Sequence, residues 1–382
     1  MARGRALVTG GAGLIGSHLV DQLVDHGWTV RILDSLEPQT HGAGRPTWIN
    51  PAAEFRLGDV RCEPDLCAAL QDVDVVFHLA AYGGYMPEIA RYLETNSLGT
   101  ARLFEEIRRI RGKSRLRKVV IASSQAVYEE GCVTCPTHGL QFPPRRTTEA
   151  MSEGRFEIPC PVCGGPAAAA PTPETAPAAA GTVYGLTKVD QERLGLIMGV
   201  QLGLPVVALR YACTYGPRQS LFNPYTGVIT IFCTRLLNGL APVLYEDGRQ
   251  TRDLCFVEDT ARATRFAAET EALDGRAVNV GSGRATAISD LARLLADRLG
   301  VPGLVPELAG EFRPGEMRAL TADVTAIAAA GFEPRVPLEE GIDRHLRWLR
   351  RAGRLEERFS GARGRLARQG IVQAIGAPAG AR

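Results

Sequence analysis

The chain has 382 residues, 45% of them hydrophobic, with 44 basic and 42 acidic side chains. That is enough apolar material for one large domain or two moderate ones, and a net charge of +2 carries no signature of a nucleic-acid or membrane-surface partner. No stretch approaches the ~18 uninterrupted apolar residues of a membrane span, and MARGRALVTGG has no signal-peptide core, so a cytoplasmic protein is expected, its nine cysteines thiols or metal ligands rather than disulfides.

RALVTGG reads as a buried strand ending in glycines, and LIGSHLVDQLVDHG as a helix closed by Gly27. At their junction stand Gly10, Gly13, Leu14, Ile15 and Gly16. Small residues there let the backbone approach a pyrophosphate, whose charge then sits on a helix N-terminus. WTVRILD is a second strand, and Asp34 at its end can accept hydrogen bonds from a ribose 2′-OH while repelling a 2′-phosphate. The expected cofactor is therefore NAD rather than NADP. VDVVFHLAA and RKVVIASS follow as buried strands with a helix across 96–111 between them, and PVVALRY follows a helix across 184–203. Strands alternating with helices specify an α/β fold, a Rossmann-type doubly wound parallel sheet over residues 1–215. Beyond it, short elements separated by Pro and Gly indicate a smaller α/β substrate domain over 216–350. Residues 351–382, rich in arginine and glycine, read as a flexible tail.

Inside the first domain lie Cys132-x-x-Cys135 and Cys160-x-x-Cys163, separated by 24 residues. Four thiolates in paired knuckles, with tight turns at TCPTHG and PVCGG, suit a structural tetrahedral zinc that leaves no open position for catalysis. His138 reads as an ordinary loop residue, and the Pro/Ala-rich stretch 164–181 as a solvated loop. Residues 132–181 then form a zinc-ribbon-like insertion. A loop of this length without a core does not hold one shape, so the metal is expected to order a lid over the substrate or a subunit contact.

Tyr184 and Lys188 are four residues apart and share a helix face. The ammonium is expected to lower the phenol's pKa so that it serves as a base near neutral pH, and Ser124, ending RKVVIASS, can hydrogen-bond the same substrate oxygen. This set argues against a non-catalytic NAD-binding sensor, which has no use for it.

TGGAGLIG, GDV at 58–60, HLAA at 78–81, SSQAVY at 123–128, YGLTK at 184–188 and LRY…YGP at 209–217 occur in that order. Through them the chain resembles the extended short-chain dehydrogenase/reductases, and within these the nucleotide-sugar epimerase/dehydratase branch. The resemblance implies that Asp59 and Val60 flank the adenine. Leu79, Ala80, Ala81 and Asn96 would line the NAD site together with Tyr184 and Lys188. It makes Ser124, Tyr184 and Lys188 the catalytic set, with Ser124 and Tyr184 at the sugar and Arg252 and Arg313 on the substrate's diphosphate, a dianion that two guanidiniums suit well. Dehydratases and decarboxylases of this family place an acidic residue just after the catalytic Ser/Thr. Here Gln125 and Ala126 stand there, and neither transfers a proton. The implied reaction is 4-epimerisation of a nucleotide sugar, with another NAD-dependent oxidoreductase or a 4,6-dehydratase as the alternative. SSQAVYEEG and SLFNPYTGVITIF resemble members acting on deoxysugar nucleotides, such as dTDP-L-rhamnose 4-epimerases. Where the family reads LRYFNVYGP, this chain has Cys213 in place of the asparagine. Helices across 96–111 and 184–203 match those that pair in family dimers, which implies a homodimer.

Overall fold

A computed structural model describes residues 3–42, 44–84, 86–225, 227–353 and 355–376. Its strands up to residue 287, in chain order, are β1 (Arg5–Thr9), β2 (Thr29–Asp34), β3 (Glu54–Leu57), β4 (Val75–His78), β5 (Lys118–Ser124), β6 (Cys132–Cys135), β7 (Gly139–Gln141), β8 (Ala168–Ala170), β9 (Val206–Tyr211), β10 (Cys213–Tyr215), β11 (Val243–Leu244), β12 (Thr251–Phe256), β13 (Ala277–Val280) and β14 (Ala285–Ala287); short two-residue strands follow at Glu307–Leu308, Glu311–Phe312, Ala319–Leu320 and Gln373–Ala374. Among the described residues, seven of these form one parallel sheet in the order β13-β9-β5-β4-β1-β2-β3. Helices cover both faces, so the central strands are near-continuous apolar runs; Leu7, Val8, Val76, Phe77, Val120, Ile121, Val207 and Leu209 have no exposed surface. The strand order reverses between β1 and β4, and a crevice opens past their carboxyl ends.

The expected Rossmann-type sheet is present, but its boundary at 215 is not clean. β13, far beyond that point, forms the sheet's edge beside β9. The helix Val257–Glu269 buries Ala261, Ala263 and Ala267 in the same core as Ala6 and Val8. The second unit is built on β10, β12 and β14, with Ala319–Leu320 beside β12. Its helices Val228–Leu237, Ile288–Leu299 and Leu338–Arg351 bury Phe232, Leu236, Leu295, Ile342 and Leu346 together.

The insertion is a three-stranded antiparallel sheet, β7-β6-β8. The stretch 164–181 is not the solvated loop expected from its composition. The Thr172 amide donates to the Thr321 carbonyl at 2.8 Å, and the Asn279 side chain donates to the Thr172 carbonyl at 2.9 Å. The Glu174 carboxylate accepts from the Asn279 amide. Small, extended residues let this chain slide between β13 and the segment after 320, where its backbone groups find partners. At the root of the insertion, Arg146 is buried and donates to both carboxylate oxygens of Glu246, at 2.9 and 3.1 Å, and to Glu130 at 3.1 Å. Arg318 closes the set on Glu246 and Asp247. The insertion is thus bolted to the second unit by buried charge pairs, which are strongly destabilising to break from one side.

The expected flexible tail is also folded. Phe359–Arg368 is a helix with Phe359, Ala362 and Leu366 buried, and Gln373–Ala374 pairs antiparallel with Glu311–Phe312. The spacing of those three apolar residues gives the helix one apolar face, which composition alone hides under the arginines. Residues 377–382 of that tail lie outside the described residues.

Candidate functional site

A cavity of 1120 Å³ runs from the glycine turn after β1, across the ends of β4, β5 and β9, into the second unit. Gly10, Gly13, Leu14, Ile15 and Gly16 line its first part. The turn is tight: a Cβ on Gly16 would sit 2.2 Å from the Gly10 carbonyl oxygen. Asp34 is buried, and its two oxygens accept backbone amides from Ala12 and Leu36, each at 2.9 Å. The carboxylate is thereby aimed at the end of the glycine turn. Asp59, Val60, Leu79, Ala80 and Ala81 line the same part of the cavity. Asp59 is paired with Arg61 at 2.7 Å. The trough thus brings together small backbone-exposing residues at a helix N-terminus, a buried carboxylate and the apolar side chain of Val60.

Asn96 is the exception among the expected cofactor contacts. It is fully buried and does not line the cavity. Its oxygen accepts the Tyr82 amide, and its nitrogen donates to the Tyr82 carbonyl and to Thr187. Its amide braces the loop after β4 and the helix Val183–Leu202 from behind.

Ser124, Tyr184 and Lys188 come together at the centre of the cavity from β5 and the helix Val183–Leu202. Thr182 caps that helix by accepting the Gly185 amide at 3.0 Å. Gly185 is needed for the approach, because a Cβ there would lie 2.2 Å from the Ala126 carbonyl oxygen. The turn after Ser124 and the start of the helix are thus pressed together, which sets the Ser124 and Tyr184 side chains beside one another on the cavity wall, where the Ser124 hydroxyl favours the ionised phenol. The Lys188 ammonium donates to the Ala122 carbonyl at 2.8 Å and lies 5.8 Å from the Tyr184 ring centre. Burial dominates the titration of both: it pushes Tyr184 up to about 12 and Lys188 down to about 7. The expectation that Lys188 lowers the phenol's pKa is not met within the protein alone, since the cost of burying each charge outweighs their mutual effect. Gln125 and Cys213 also line this region, as residues flanking a bound sugar would.

Arg252 and Arg313 line the far part of the cavity and share Glu316 between them, at 3.1 and 3.6 Å. The Arg313 guanidinium stacks over Tyr245, 4.3 Å from its ring centre. Glu316 stands in FRPGE beside Arg313 without a role of its own in the sequence reading, and Tyr245 lies in no motif; their neighbours in space mark both.

The cysteine cluster differs from the expected one. Cys135, His138, Cys160 and Cys163 have their ligand atoms all within 4.8 Å of one another. Sγ of Cys135 is 3.9 Å from Sγ of Cys163 and 3.5 Å from Nδ1 of His138, and Cys160 Sγ is 3.6 Å from that nitrogen. Those are edges of the tetrahedron that bonds of about 2.3 Å to sulfur and 2.0 Å to nitrogen produce. Cys132 is elsewhere. It lies on the first strand of the insertion with its thiol on the carbonyls of Ala170 and Pro171. β-strand alternation explains the substitution only in part: Cys132 and Cys135 are three apart on β6 and point to opposite faces. His138, on the next turn, faces the side that Cys135 faces. The insertion also does not form the expected lid, because within 132–181 only Gly181 lines the cavity.

Residues 6–148 and 161–281 match the model of the NAD dependent epimerase/dehydratase family, and the break between them falls inside the insertion. The chain is 32% identical over 354 residues to a dTDP-L-rhamnose 4-epimerase of Burkholderia thailandensis, covering 90% of this chain and 94% of that one. Its fold is similar to that of UDP-glucose 4-epimerase from Thermotoga maritima, solved with UDP-glucose, at a TM-score of 0.72 and 29% identity over 91% of this chain and 99% of that one. It is also similar to a Thermus thermophilus UDP-glucose 4-epimerase complexed with NAD, at a TM-score of 0.67 and 27% identity, covering 91% and 99%. With a matched family model spanning most of the sheet and the glycine turn, this chain belongs to the NAD dependent epimerase/dehydratase family.

Proposed function

We propose that this NAD-dependent nucleotide-sugar 4-epimerase acts on a dTDP-linked deoxyhexose, with Ser124, Tyr184 and Lys188 as its catalytic residues. The observation that carries the reading is the Ser124–Tyr184 pair at the centre of a cavity whose two ends suit two ligands. Gly10, Gly13, Leu14, Ile15, Gly16, Asp34, Asp59, Val60, Leu79, Ala80 and Ala81 would hold NAD at one end. Arg252 and Arg313 would hold the substrate's diphosphate at the other. When bound, NAD supplies an acceptor for the C4 hydride and a donor that returns it. Tyr184 would act as the phenolate, a form that the positive charges of Lys188 and of the bound NAD nicotinamide favour against the cost of burial; it would take the proton of the C4 hydroxyl and later give it back, with Ser124 holding that oxygen in register. With Gln125 and Ala126 beside Ser124, no acidic group stands there for the elimination a dehydratase needs. The deoxyhexose assignment rests on the similarity to the Burkholderia enzyme.

The same reading places a structural zinc on Cys135, His138, Cys160 and Cys163. The backbone amides of His138 and Thr137 hold the Cys135 thiol below its ordinary range, and those of Cys163 and Val162 do the same for Cys160 against the cost of its burial, which suits thiolates. A homodimer through the helices Gly99–Ile110 and Val183–Leu202 is supported by Leu98, Leu186, Ile197 and Val200, all exposed on or beside them. Among the described residues no helix is long and apolar enough to cross a membrane. We place the enzyme in the cytoplasm, where reduced cysteines persist.

Incubation with dTDP-L-rhamnose and with UDP-glucose, without added reductant, tests the function. Conversion to the C4 epimer with no net NADH is expected. Accumulation of NADH, or of a 4-keto-6-deoxy product, would refute it.

A further inference from the structure

We propose that residues 359–375 form the nucleotide-end wall of the substrate cavity and set the position of Arg313, with Ile371 as the side chain that meets the nucleotide. The inference deepens the reading above and rests on its placement of the diphosphate. If the sugar lies at Tyr184 and the diphosphate at Arg252 and Arg313, the base points past the arginines. Arg313 stacks over Tyr245, and Tyr245 shares one apolar cluster with Val243 and Tyr225 of the second unit and with Phe359 and Ile371 of the C-terminal segment, all of them on the cavity wall.

The segment is built for this place. Phe359, Ala362 and Leu366 bury one helix face in a single cluster with Tyr225, Val243 and Tyr245. The chain then reverses: Gly370 takes a φ of +70°, and the Ile371 amide donates back to the Leu366 carbonyl at 3.0 Å. This turn brings Ile371, half-buried, into the cavity lining and against the same cluster. Gln373 and Ala374 next pair with Phe312 and Glu311, the two residues immediately before Arg313. Ile375 donates to the Gly310 carbonyl at 2.8 Å, so both flanks of that strand are held.

Two of the three arginines of this segment have structural partners. Arg363 bonds Glu311 at 2.8 Å, and Arg365 bonds the Tyr225 hydroxyl at 3.0 Å. Both tie the helix to the residues that flank the cavity. Their role as ties, rather than as a solvated basic tail, is why the segment stays over the site.

A base is flat and half apolar. An aliphatic side chain opposite Tyr245 and Val243 gives it a second apolar face, and a charged group in that position removes it. The test uses the full-length protein with Ile371→Arg. Titration calorimetry measures dTDP and UDP binding, alongside NAD affinity and melting temperature. A loss of about tenfold or more in affinity for both diphosphates is expected, with NAD affinity unchanged. Unchanged diphosphate binding in Ile371→Arg would overturn the wall. If that variant also loses NAD or melts early, Ile371→Ala decides, because it removes the contact without burying a charge: a selective loss of diphosphate affinity upholds the proposal, and none overturns it. A wild-type protein that binds neither diphosphate would sink the wall together with the substrate reading. Normal wild-type binding with an indifferent variant sinks the wall alone.

Discussion

The two ends of the cavity are made in opposite ways. The cofactor end comes from one stretch of the sheet: β1, the glycine turn, the helix Leu14–Asp25, β2 and Asp34 lie within the first 34 residues, and Asp59, Val60 and residues 79–81 follow just past the ends of β3 and β4. The substrate end is assembled from Tyr245, Arg252, Arg313, Glu316 and Ile371, which are spread between positions 245 and 371. Local construction makes a site that depends on few contacts elsewhere. Distributed construction makes one whose geometry depends on everything that holds its pieces in register, including the insertion and the C-terminal segment. Damage at the first end should therefore stay local, and damage to the second should spread.

Chemistry at the junction of the two ends gives the largest effect. Tyr184→Phe keeps the ring packing but removes the proton carrier, and turnover should fall by at least ~10²-fold. NAD and nucleotide-sugar affinities should stay within a few-fold. An NMR time course of substrate conversion measures this, and near-normal turnover would mean that another group moves the proton.

The cofactor end is sharpened by Asp34→Ala. Loss of a charged hydrogen-bond acceptor should weaken NAD by about tenfold while NADP weakens less or gains. Diphosphate affinity should not change if the two ends are as separable as their construction implies. Fluorescence titration with both cofactors decides, and equal native affinity for NAD and NADP would remove the role given to Asp34.

The insertion tests the opposite expectation. Purified protein should contain one zinc per chain; Cys163→Ser should lose it and Cys132→Ser should keep it. Chelation should expose residues between β6 and β8 to protease and, through Arg146 and Glu246, raise the Michaelis constant for the nucleotide sugar by a few-fold. Elemental analysis and limited proteolysis read these outcomes. Metal loss in Cys132→Ser would show that the cluster is drawn from the wrong residues.

The smallest effect is one of pH. Burial holds Lys188 at about 7, below its ordinary 10.5, so the unfolded chain binds more protons than the folded one between those values. Stability contributed by this group therefore rises with pH across that window and is lost as pH falls through about 7. Lys188→Met should remove that slope. Melting curves of both proteins between pH 7 and 9 should converge toward the alkaline side, with the variant the more stable at the acidic side. A constant difference would mean that Lys188 stays charged in the fold.

How much could be read without coordinates follows from the same contrast. The glycine turn, Asp34 and the Tyr184/Lys188 pair are short-range patterns whose residue types and spacing carry their own geometry, and they lie together as expected. The family resemblance implied Asn96 as a cofactor contact, but it spends its amide on Tyr82 and Thr187, which spacing cannot reveal. Cys132 matched a CxxC pattern, yet β-strand alternation sends it away from Cys135 and admits His138 instead. The C-terminal arginines resembled a solvated run, because composition does not register three apolar residues at helical spacing.

By itself, then, the amino-acid sequence determined the parallel α/β architecture, the cofactor turn and the chemical identity of the central pair. These follow from apolar periodicity and from backbone geometry that only small residues permit. The tertiary structure alone decided which thiols share a cluster, that the Pro/Ala stretch and the C-terminal helix pack rather than hang free, and which aromatic and apolar groups line the substrate end. Each of those outcomes depends on contacts between segments distant in the chain. Their energies come from burial and partner satisfaction, quantities that exist only once the segments have met.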